Sequence, residues 1–375
     1  MNTIVLLFLT ALVLYVLKIQ KYKHNWEGYS ELRSTTGNAT TGISVIIAFR
    51  NEALNLEALL SSLKKQVYPA ALYEIILVND HSDDGSEIFV MHFCETNPNF
   101  ILISNEGQIV GKKSAIKTGI NIASHELIVT TDADCTMDDY WLATIARFYD
   151  EKNPDMIIGL VDIISGSRFF ERFQEVEFLS LIAAGAGAAA GGRPIYCSAA
   201  CLAFKKSLYK SMDDPLLEGI TSGDDTLFMH AVKKNRRKSI LLLKSANAIV
   251  VTHGLSSWSG YFNQRRRWVS KSRYYHDRDT IYTALLVLLV NVCFIVSVTV
   301  FMLGRNYWLF PVFYMGKTIT DYLFLKSFLR FYGKKLPAIR FMEYSMIYPF
   351  YAVCFATTGL LTRFTWKGRH FGPAE

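Results

Sequence analysis

The stretch LIVTTDADCTM, residues 127–137, carries the strongest clue to the fold. Its first four residues are apolar or β-branched and suit a buried strand, yet Asp132 and Asp134 follow almost at once. A buried carboxylate is unfavourable unless it is paired or binds a metal. Either this strand ends at the surface and both carboxylates are solvated, or a cation lies beside them.

The middle of the chain alternates between strand-like and helix-like segments. Short β-branched runs occur at residues 43–49, 74–80 and 126–134, and segments with helical spacing occur between them, most clearly at 52–66 and 112–124. This alternation predicts an α/β fold with a mostly parallel sheet. In such sheets, ligands bind beyond the carboxyl ends of the strands.

Acidic residues follow the ends of these predicted strands. Glu52 comes after the first strand, Asp80 after the second, and Asp132 and Asp134 after the last. The spacing therefore predicts a binding site at one edge of the sheet. The competing interpretation is that these are turn residues and helix caps, and it is strongest for the DDGS stretch at 83–86.

The apolar residues are concentrated towards the two ends of the chain. Hydrophobic residues make up 51% of the 375 residues and charged residues only 19%. Residues 4–17 are apolar and are followed by lysines, which favours a membrane anchor with a cytoplasmic flank over a signal peptide. Further spans are predicted at 281–303, 307–328 and 342–361; charges interrupt the second, and Pro349 interrupts the third.

The basic tail conflicts with this simple topology. If all three C-terminal segments cross the bilayer, Lys367 and Arg369 lie outside, whereas positive residues favour the cytoplasmic side. An interfacial or re-entrant segment around Pro349 would remove the conflict.

Charge and cysteine content indicate the partners and the compartment of the protein. The net charge of +7 is attributed to basic clusters beside the membrane that face anionic lipid. No nucleic-acid-binding motif is present, so no nucleic-acid partner is expected. The six cysteines form no CxxC pair, which predicts reduced thiols in the cytoplasm.

Seven motifs together resemble family 2 glycosyltransferases. In chain order they are VIIAFRNE, ILVNDHSDDGS, GKKSAIKTGI, TTDADC, GITSGDDTLF, QRRRW and FTWKGR. The flanking apolar segments are similar to those of hyaluronan synthases, cellulose synthases and ceramide glucosyltransferases. The resemblance implies a Rossmann-like sheet of the glycosyltransferase A type in the cytoplasm, and transfer of a sugar from a nucleoside diphosphate.

The resemblance also implies roles on the donor side. Asp134 would be the direct ligand of a divalent cation, Mg²⁺ or Mn²⁺, and Asp132 would contact the ribose or the metal. Asp80 would accept a hydrogen bond from uracil, Glu52 would lie near the base or ribose, and Lys112 would reach the base or phosphates. The alternative for Glu52 is an acid placed favourably at a helix N-terminus.

On the acceptor side, the resemblance implies that Asp225 is the general base and Asp224 its neighbour, a role that a carboxylate suits. The alternative is a helix N-cap. Gln264, Arg267 and Trp268 would stand at the acceptor and pyrophosphate side, or else form a basic stripe beside the membrane.

Two residues depart from the family pattern. Ala199 and Cys201 stand where relatives usually have Gly and Asn, which puts the acceptor contacts in doubt there.

The sequence thus predicts an inverting, metal-dependent glycosyltransferase of a bacterial inner membrane. Its donor would be a nucleotide sugar, by family expectation a UDP-sugar, and its acceptor a membrane lipid or a growing glycan. Two alternatives stay open: a processive polysaccharide synthase and a non-catalytic nucleotide-sugar-binding subunit. The predicted boundaries are an anchor at 1–20, a catalytic domain at 40–255, an interfacial segment at 256–280, transmembrane helices at 281–363 and a basic tail at 364–375.

Overall fold

The computed structural model describes residues 3–33, 40–105, 110–216, 223, 225–361, 364–366 and 369–371. The strands along the chain are β1 (Ile43–Phe49), β2 (Tyr73–Asn79), β3 (Phe100–Ser104), β4 (Leu127–Thr130), β5 (Thr136–Met137), β6 (Met156–Ile158), β7 (Val161–Ile164), β8 (Leu202–Lys205), β9 (Ile240–Leu242), β10 (Val250–His253), β11 (Phe364–Trp366) and β12 (Arg369–Phe371). The helices are α1 (Thr3–Gly28), α2 (Leu56–Lys64), α3 (Ser86–Glu95), α4 (Lys112–Ile122), α5 (Trp141–Lys152), α6 (Phe169–Ala190), α7 (Lys206–Lys210), α8 (Thr226–Arg236), α9 (Trp258–Ser270), α10 (Arg278–Met302), α11 (Leu309–Phe331) and α12 (Ala338–Leu361).

Seven strands form the main sheet, in the order β3-β2-β1-β4-β8-β6-β9. Strand β1 pairs in parallel with β2 and β4, β2 pairs in parallel with β3, and β6 with β9. Strand β8 runs antiparallel to both of its neighbours. The predicted α/β class with a mostly parallel sheet is confirmed. A second sheet has the strand order β5-β10-β7, and its first strand in the chain, β5, follows β4 after five residues.

The central strands are buried on both faces, as the apolar runs of parallel strands require. Every residue of β4 and all but one of β1 are buried. Helix α4 packs closely on this layer through Gly119, where an added Cβ would lie 2.6 Å from Ile46 Cγ2 and 3.2 Å from Val78 Cγ2. Glycine permits the close contact between α4 and the sheet. This packing places Lys112, the first residue of α4, near the edge of the sheet.

The first predicted helix is shorter than expected. The sequence pattern predicts a helix over 52–66, whereas α2 begins at Leu56. Asn51 has a φ of 53°, a left-handed conformation that asparagine tolerates better than most residues. The Glu52 carbonyl then accepts from the backbone N–H groups of Asn55 and Leu56 at 2.9 and 3.1 Å, so Glu52 starts the turn before the helix.

Helices α1, α10, α11 and α12 pack together beside the α/β domain. Trp26 of α1 contacts Phe328 of α11 with ring centroids 4.7 Å apart. In the described part of the chain, two helices have the length and hydropathy to cross a bilayer: Val5–Gly28, with a mean hydropathy of 1.7, and Arg278–Met302, with 2.8. Helices α11 and α12 are long but are not among them, so their status as spans stays a prediction.

Helix α12 contacts the α/β side of the molecule near both of its ends. Close to its start, Tyr344 packs on Phe169 of α6 with centroids 5.2 Å apart. Towards its end, Phe355 stacks on Phe262 of α9 at 5.0 Å, and strand β11 also contacts α9. Pro349 lies inside this continuous helix. The position of the residues around Pro349 relative to the membrane stays a prediction.

Candidate functional site

The two aspartates after β4 lie in a cluster of carboxylates. Ligand atoms of Asp132, Asp134 and Cys135 all lie within 4.8 Å of one another. The Lys112 ammonium donates to Asp132 Oδ1 at 2.5 Å. Burial, followed by the negative charges of Asp132 and Glu52, raises the pKa of Asp134 above its ordinary value. A positive charge placed beside this cluster would therefore stabilise the ionised carboxylates.

Cys135 differs from the two aspartates in its protonation. Burial, together with the charges of Asp134 and Asp132, raises the pKa of this thiol well above its ordinary value. The Cys135 thiol donates to Asp134 Oδ1 at 3.6 Å. The thiolate is the metal-binding form of cysteine. The available donors are therefore carboxylate oxygens, which suit Mg²⁺ or Mn²⁺.

Asp80 is buried at the carboxyl end of β2, with 2% exposure. Its Oδ1 accepts from Asn105 Nδ2 at 3.1 Å and from the Gly111 backbone N–H at 2.9 Å. Arg50 donates to the Asp80 carbonyl at 2.9 Å and to the His81 carbonyl at 2.8 Å. These bonds fix the Asp80 side chain between the ends of β1 and β2 and the start of α4.

Most of the predicted site residues line a single cavity of about 560 Å³. We call it the carboxylate cavity. Its wall includes Lys112, Asp132, Asp134, Asp225, Gln264, Arg267 and Trp268. Glu52 and Asp80 are not in the described part of this wall, and Asp224 lies outside the described residues. The cavity continues from the sheet edge to apolar faces of α10 and α12, at residues such as Leu288 and Phe355.

Asp225 is the N-cap residue of α8 and forms a buried ion pair that the sequence did not reveal. Its carboxylate accepts from the Thr226 backbone N–H at 2.5 Å, as an N-cap, and from Lys271 Nζ at 2.9 Å. Burial alone would raise the pKa of Asp225, but the Lys271 ammonium lowers it to about 2. In return, the carboxylate overcomes the effect of burial and raises the pKa of Lys271 above its ordinary value. Both groups are charged at neutral pH.

Arg265 of the QRRRW motif is buried and forms an ion pair with α6. Arg265 is 3% exposed, and its Nε donates to Glu177 Oε2 of α6 at 3.0 Å. Its guanidinium lies 4.5 Å from the Tyr261 ring centroid and 4.2 Å from that of Trp268. Arg265 therefore fixes α9 against α6. Gln264 accepts a hydrogen bond from Arg265 Nη1.

The two departures from the family pattern lie in different surroundings. Ala199 is in the wall of the carboxylate cavity, and its carbonyl accepts from Thr130 Oγ1 at 2.8 Å. Cys201 instead packs in the core against Gly159, where an added Cβ would clash with its sulfur. Burial raises the pKa of the Cys201 thiol to about 12. The replacement at 201 is therefore a matter of core packing.

Comparison with known proteins identifies the domain. Residues 44–212 match the family described as Glycosyl transferase family 2. Residues 44–212 therefore form a family 2 glycosyltransferase domain. This agrees with the resemblance seen in the motifs, and it covers β1 to β8 with the predicted donor residues.

The related sequences are similar over part of their length. Glycosyltransferase AglE from Haloferax volcanii is 33% identical over 134 residues, which cover 35% of this chain and 43% of that protein. Poly-beta-1,6-N-acetyl-D-glucosamine synthase from Staphylococcus epidermidis is 33% identical over 147 residues, 38% of this chain and 34% of the synthase. The match thus spans less than half the length of these curated relatives.

One solved structure confirms the fold class. Mannosyltransferase PcManGT from Pyrobaculum calidifontis, solved in complex with GDP-Man and Mn²⁺, covers 95% of this chain and 93% of its own, with a TM-score of 0.54 and 18% identity. At this identity the likeness concerns the fold alone. The family 2 domain has the expected glycosyltransferase A-type architecture.

Proposed function

We propose that this chain transfers a sugar from a nucleoside diphosphate sugar to a hydroxyl of a membrane lipid, with inversion at the anomeric carbon. The observation that carries the proposal is the carboxylate cavity, which joins Asp132 and Asp134 to Asp225 and then to apolar faces of α10 and α12. A polar donor and an amphiphilic acceptor can therefore meet inside one space. A UDP-sugar is the donor that the family resemblance favours.

Asp132 and Asp134 would hold the divalent cation. They offer oxygen donors whose negative charges lie close together, and a cation would neutralise that charge. Mg²⁺ and Mn²⁺ both accept such ligands together with phosphate oxygens. When bound, the cation would stabilise the charge that develops on the leaving diphosphate. Lys112, 2.5 Å from Asp132, would add positive charge on the same side.

Asp225 would accept the proton of the acceptor hydroxyl. The acceptor oxygen then forms a bond to the anomeric carbon while the bond between that carbon and the diphosphate oxygen breaks. The nucleoside diphosphate leaves with the bonding electrons. A single displacement of this kind inverts the configuration. Arg267 and Trp268, in the same wall, would contact the diphosphate and the sugar ring, since a guanidinium binds phosphate through forked donors.

A processive polysaccharide synthase is the second candidate function. The observation that favours it is the 33% identity to poly-beta-1,6-N-acetyl-D-glucosamine synthase over 147 residues. The two functions differ in their products: a lipid carrying one sugar, or a polymer whose length grows with time. A non-catalytic binding subunit is disfavoured because Asp132, Asp134 and Asp225 are all present in one cavity.

The test is sugar transfer from a panel of radiolabelled nucleotide sugars in membranes that contain the protein and a lipid extract. Wild type, Asp225→Asn and the exposed control Asp213→Asn are compared with Mn²⁺, with Mg²⁺ and after EDTA. We expect one donor to label the lipid fraction in wild type and control, and EDTA and Asp225→Asn each to reduce transfer at least 100-fold. Asp225→Asn should still bind the donor, which shows that it is folded.

Two results would contradict the proposal. Label that accumulates only in a polymer of increasing length would establish the synthase. Donor binding without turnover in the wild type, with every lipid fraction tested, would establish the binding subunit.

A further inference from the structure

A second cavity lies among the long helices, next to the carboxylate cavity. We call it the bundle cavity. Its volume is about 350 Å³, far larger than the voids that remain in close-packed interiors, and within the range of ligand-binding pockets. Apolar residues of five helices line most of it, for example Ile19, Val176, Ala184, Leu325 and Phe341.

Each charged group in the wall of the bundle cavity is in an ion pair: Glu177 with Arg265, and Lys317 with Asp321. Lys317 Nζ donates to Asp321 Oδ2 at 2.7 Å, and Tyr15 Oη donates to Asp321 Oδ1 at 2.7 Å. Ser345, also in the wall, lies 3.0 Å from the Thr318 hydroxyl. A ligand in this cavity therefore meets paired charges and apolar surface, which favours a hydrocarbon chain over a sugar or a phosphate.

The two cavities share part of their walls. Both are lined by Glu177, Tyr196, Tyr275, Ala284 and Tyr348, among other residues. A molecule with a polar head and an apolar tail could thus lie in both at once. The Glu177–Arg265 ion pair lies at this junction. Glu177 lines both cavities, and Arg265 lines the carboxylate cavity.

An unpaired acceptor on α10 lies in the carboxylate cavity beyond this junction. Asn291 is fully buried, and its Nδ2 donates to the Val287 carbonyl at 2.8 Å. Its Oδ1 has no hydrogen-bond partner among the described residues. A buried acceptor without a partner is unfavourable, and a hydroxyl of a bound headgroup would satisfy it.

We propose that the bundle cavity holds a hydrocarbon chain of the acceptor lipid while the lipid's hydroxylated headgroup lies in the carboxylate cavity. This inference rests on the proposed function and assigns the binding site of the acceptor lipid. It also makes the bundle cavity the part of the protein that selects acceptors by their chains.

The first experiment locates the chain without requiring turnover. Purified full-length protein is photolysed with a hexadecyl glucoside that carries a diazirine on its alkyl chain, and the labelled peptides are mapped by mass spectrometry. We expect labelling of the α6 and α11 peptides that contain Ala184 and Leu325. Unlabelled hexadecyl glucoside should compete for the label, whereas free glucose should not.

The second experiment uses a matched pair of substitutions on α6. Ala184 lines the bundle cavity, whereas Ala190, six residues further along, is also half-buried but lines neither cavity. Ala184→Leu should reduce both the labelling and the transfer to extracted lipid at least fivefold, with donor binding unchanged. Ala190→Leu should leave both within twofold of wild type.

The outcomes separate this inference from the proposed function. Absence of label in the bundle cavity of wild type overturns the inference, even if transfer to lipid is robust. Label in the cavity with unchanged transfer in Ala184→Leu also overturns it, because the cavity then holds a structural lipid. If wild type transfers sugar to no lipid, the proposed function fails and the acceptor assignment fails with it, whatever the labelling shows.

Discussion

Replacing Lys271 by methionine removes the ammonium that neutralises Asp225 in a buried pair. The side chains of Lys271 and Asp225 are only 8% and 13% exposed, so solvent screens the pair weakly. The shift in the pKa of Asp225 from 3.8 to about 2 corresponds to about 2 kcal/mol of stability. Leaving one charge buried without its partner costs about 3 to 5 kcal/mol in other proteins. We therefore expect a loss of about 3 kcal/mol.

The pH at which this loss is measured matters. Asp225 has a lower pKa in the folded state than in the unfolded state, so its contribution to stability is complete well above pH 3.8. It is lost only as the pH falls through about 2. A neutral buffer therefore reports the full effect, and small changes of pH around neutrality leave it unchanged.

The assay is thermal unfolding of the detergent-purified protein at a fixed scan rate. For a domain of about 200 residues, 1 kcal/mol shifts Tm by about 2 to 4 °C, so Lys271→Met should lower Tm by roughly 6 to 12 °C. Lys271→Arg keeps the charge and should lose less than half as much. The double variant with Lys271→Met and Asp225→Asn should lose less stability than the sum of the two single losses.

Additivity would refute this reasoning. If the two single losses sum to that of the double variant within about 0.5 kcal/mol, the side chains act independently. Lys271 would then stabilise the protein through packing of its alkyl chain, and the assignment of Asp225 as a carboxylate held ionised by Lys271 would be wrong.

Three further predictions follow from other parts of the structure. Asp134→Asn should raise the Tm of the cation-free protein slightly, because it removes a carboxylate whose pKa is raised by burial and neighbouring charges. We expect Mn²⁺ to raise the Tm of wild type and not that of Asp134→Asn. Glu177→Gln leaves Arg265 buried without its partner and should lower the free energy of unfolding by about 3 kcal/mol. The control is Arg193→Gln, because the side chain of Arg193 in its ion pair is 56% exposed. This control should lower the free energy of unfolding by less than about 1 kcal/mol in the same thermal assay. Burial lowers the pKa of His230 to about 4, so stability should fall as the pH drops from about 6.5 towards 4, and denaturant titrations should show a smaller fall in His230→Gln.

Much of the candidate site could be predicted from the sequence because local patterns determine it. The runs at 43–49 and 126–134 become β1 and β4, paired in parallel with Ile43 beside Leu127. The parallel arrangement alone brings the residues after the strands to one edge of the sheet. Asp132 and Asp134, which the spacing placed at this edge, line the carboxylate cavity, whereas Glu52 and Asp80 are not in its described wall. Lys112, which the resemblance implied, also lines it. Their roles in binding remain part of the proposal.

The ion pairs of the site could not be predicted because they join distant segments. Lys271 lies 46 residues after Asp225, and Arg265 lies 88 residues after Glu177. In the motif QRRRW the three arginines look alike in sequence. Their position around the axis of α9 decides that Arg265 turns to α6, and this position depends on how the helix packs.

The segment from Arg265 to Lys271 connects the proposed chemistry to the junction of the two cavities. Arg265 is bonded to Glu177, which faces both cavities, and Lys271 is bonded to Asp225. Arg265 is in α9, and Lys271 directly follows its last residue in a 3₁₀ turn. A shift of α9 would therefore alter the junction and the carboxylate pair together. Pairing with Lys271 keeps Asp225 ionised but makes it a weak base, because a carboxylate of low pKa holds a proton poorly. Under the proposed function, an acceptor lipid that passes the junction would contact this same segment, so we expect its arrival to alter the strength of Asp225 as a base.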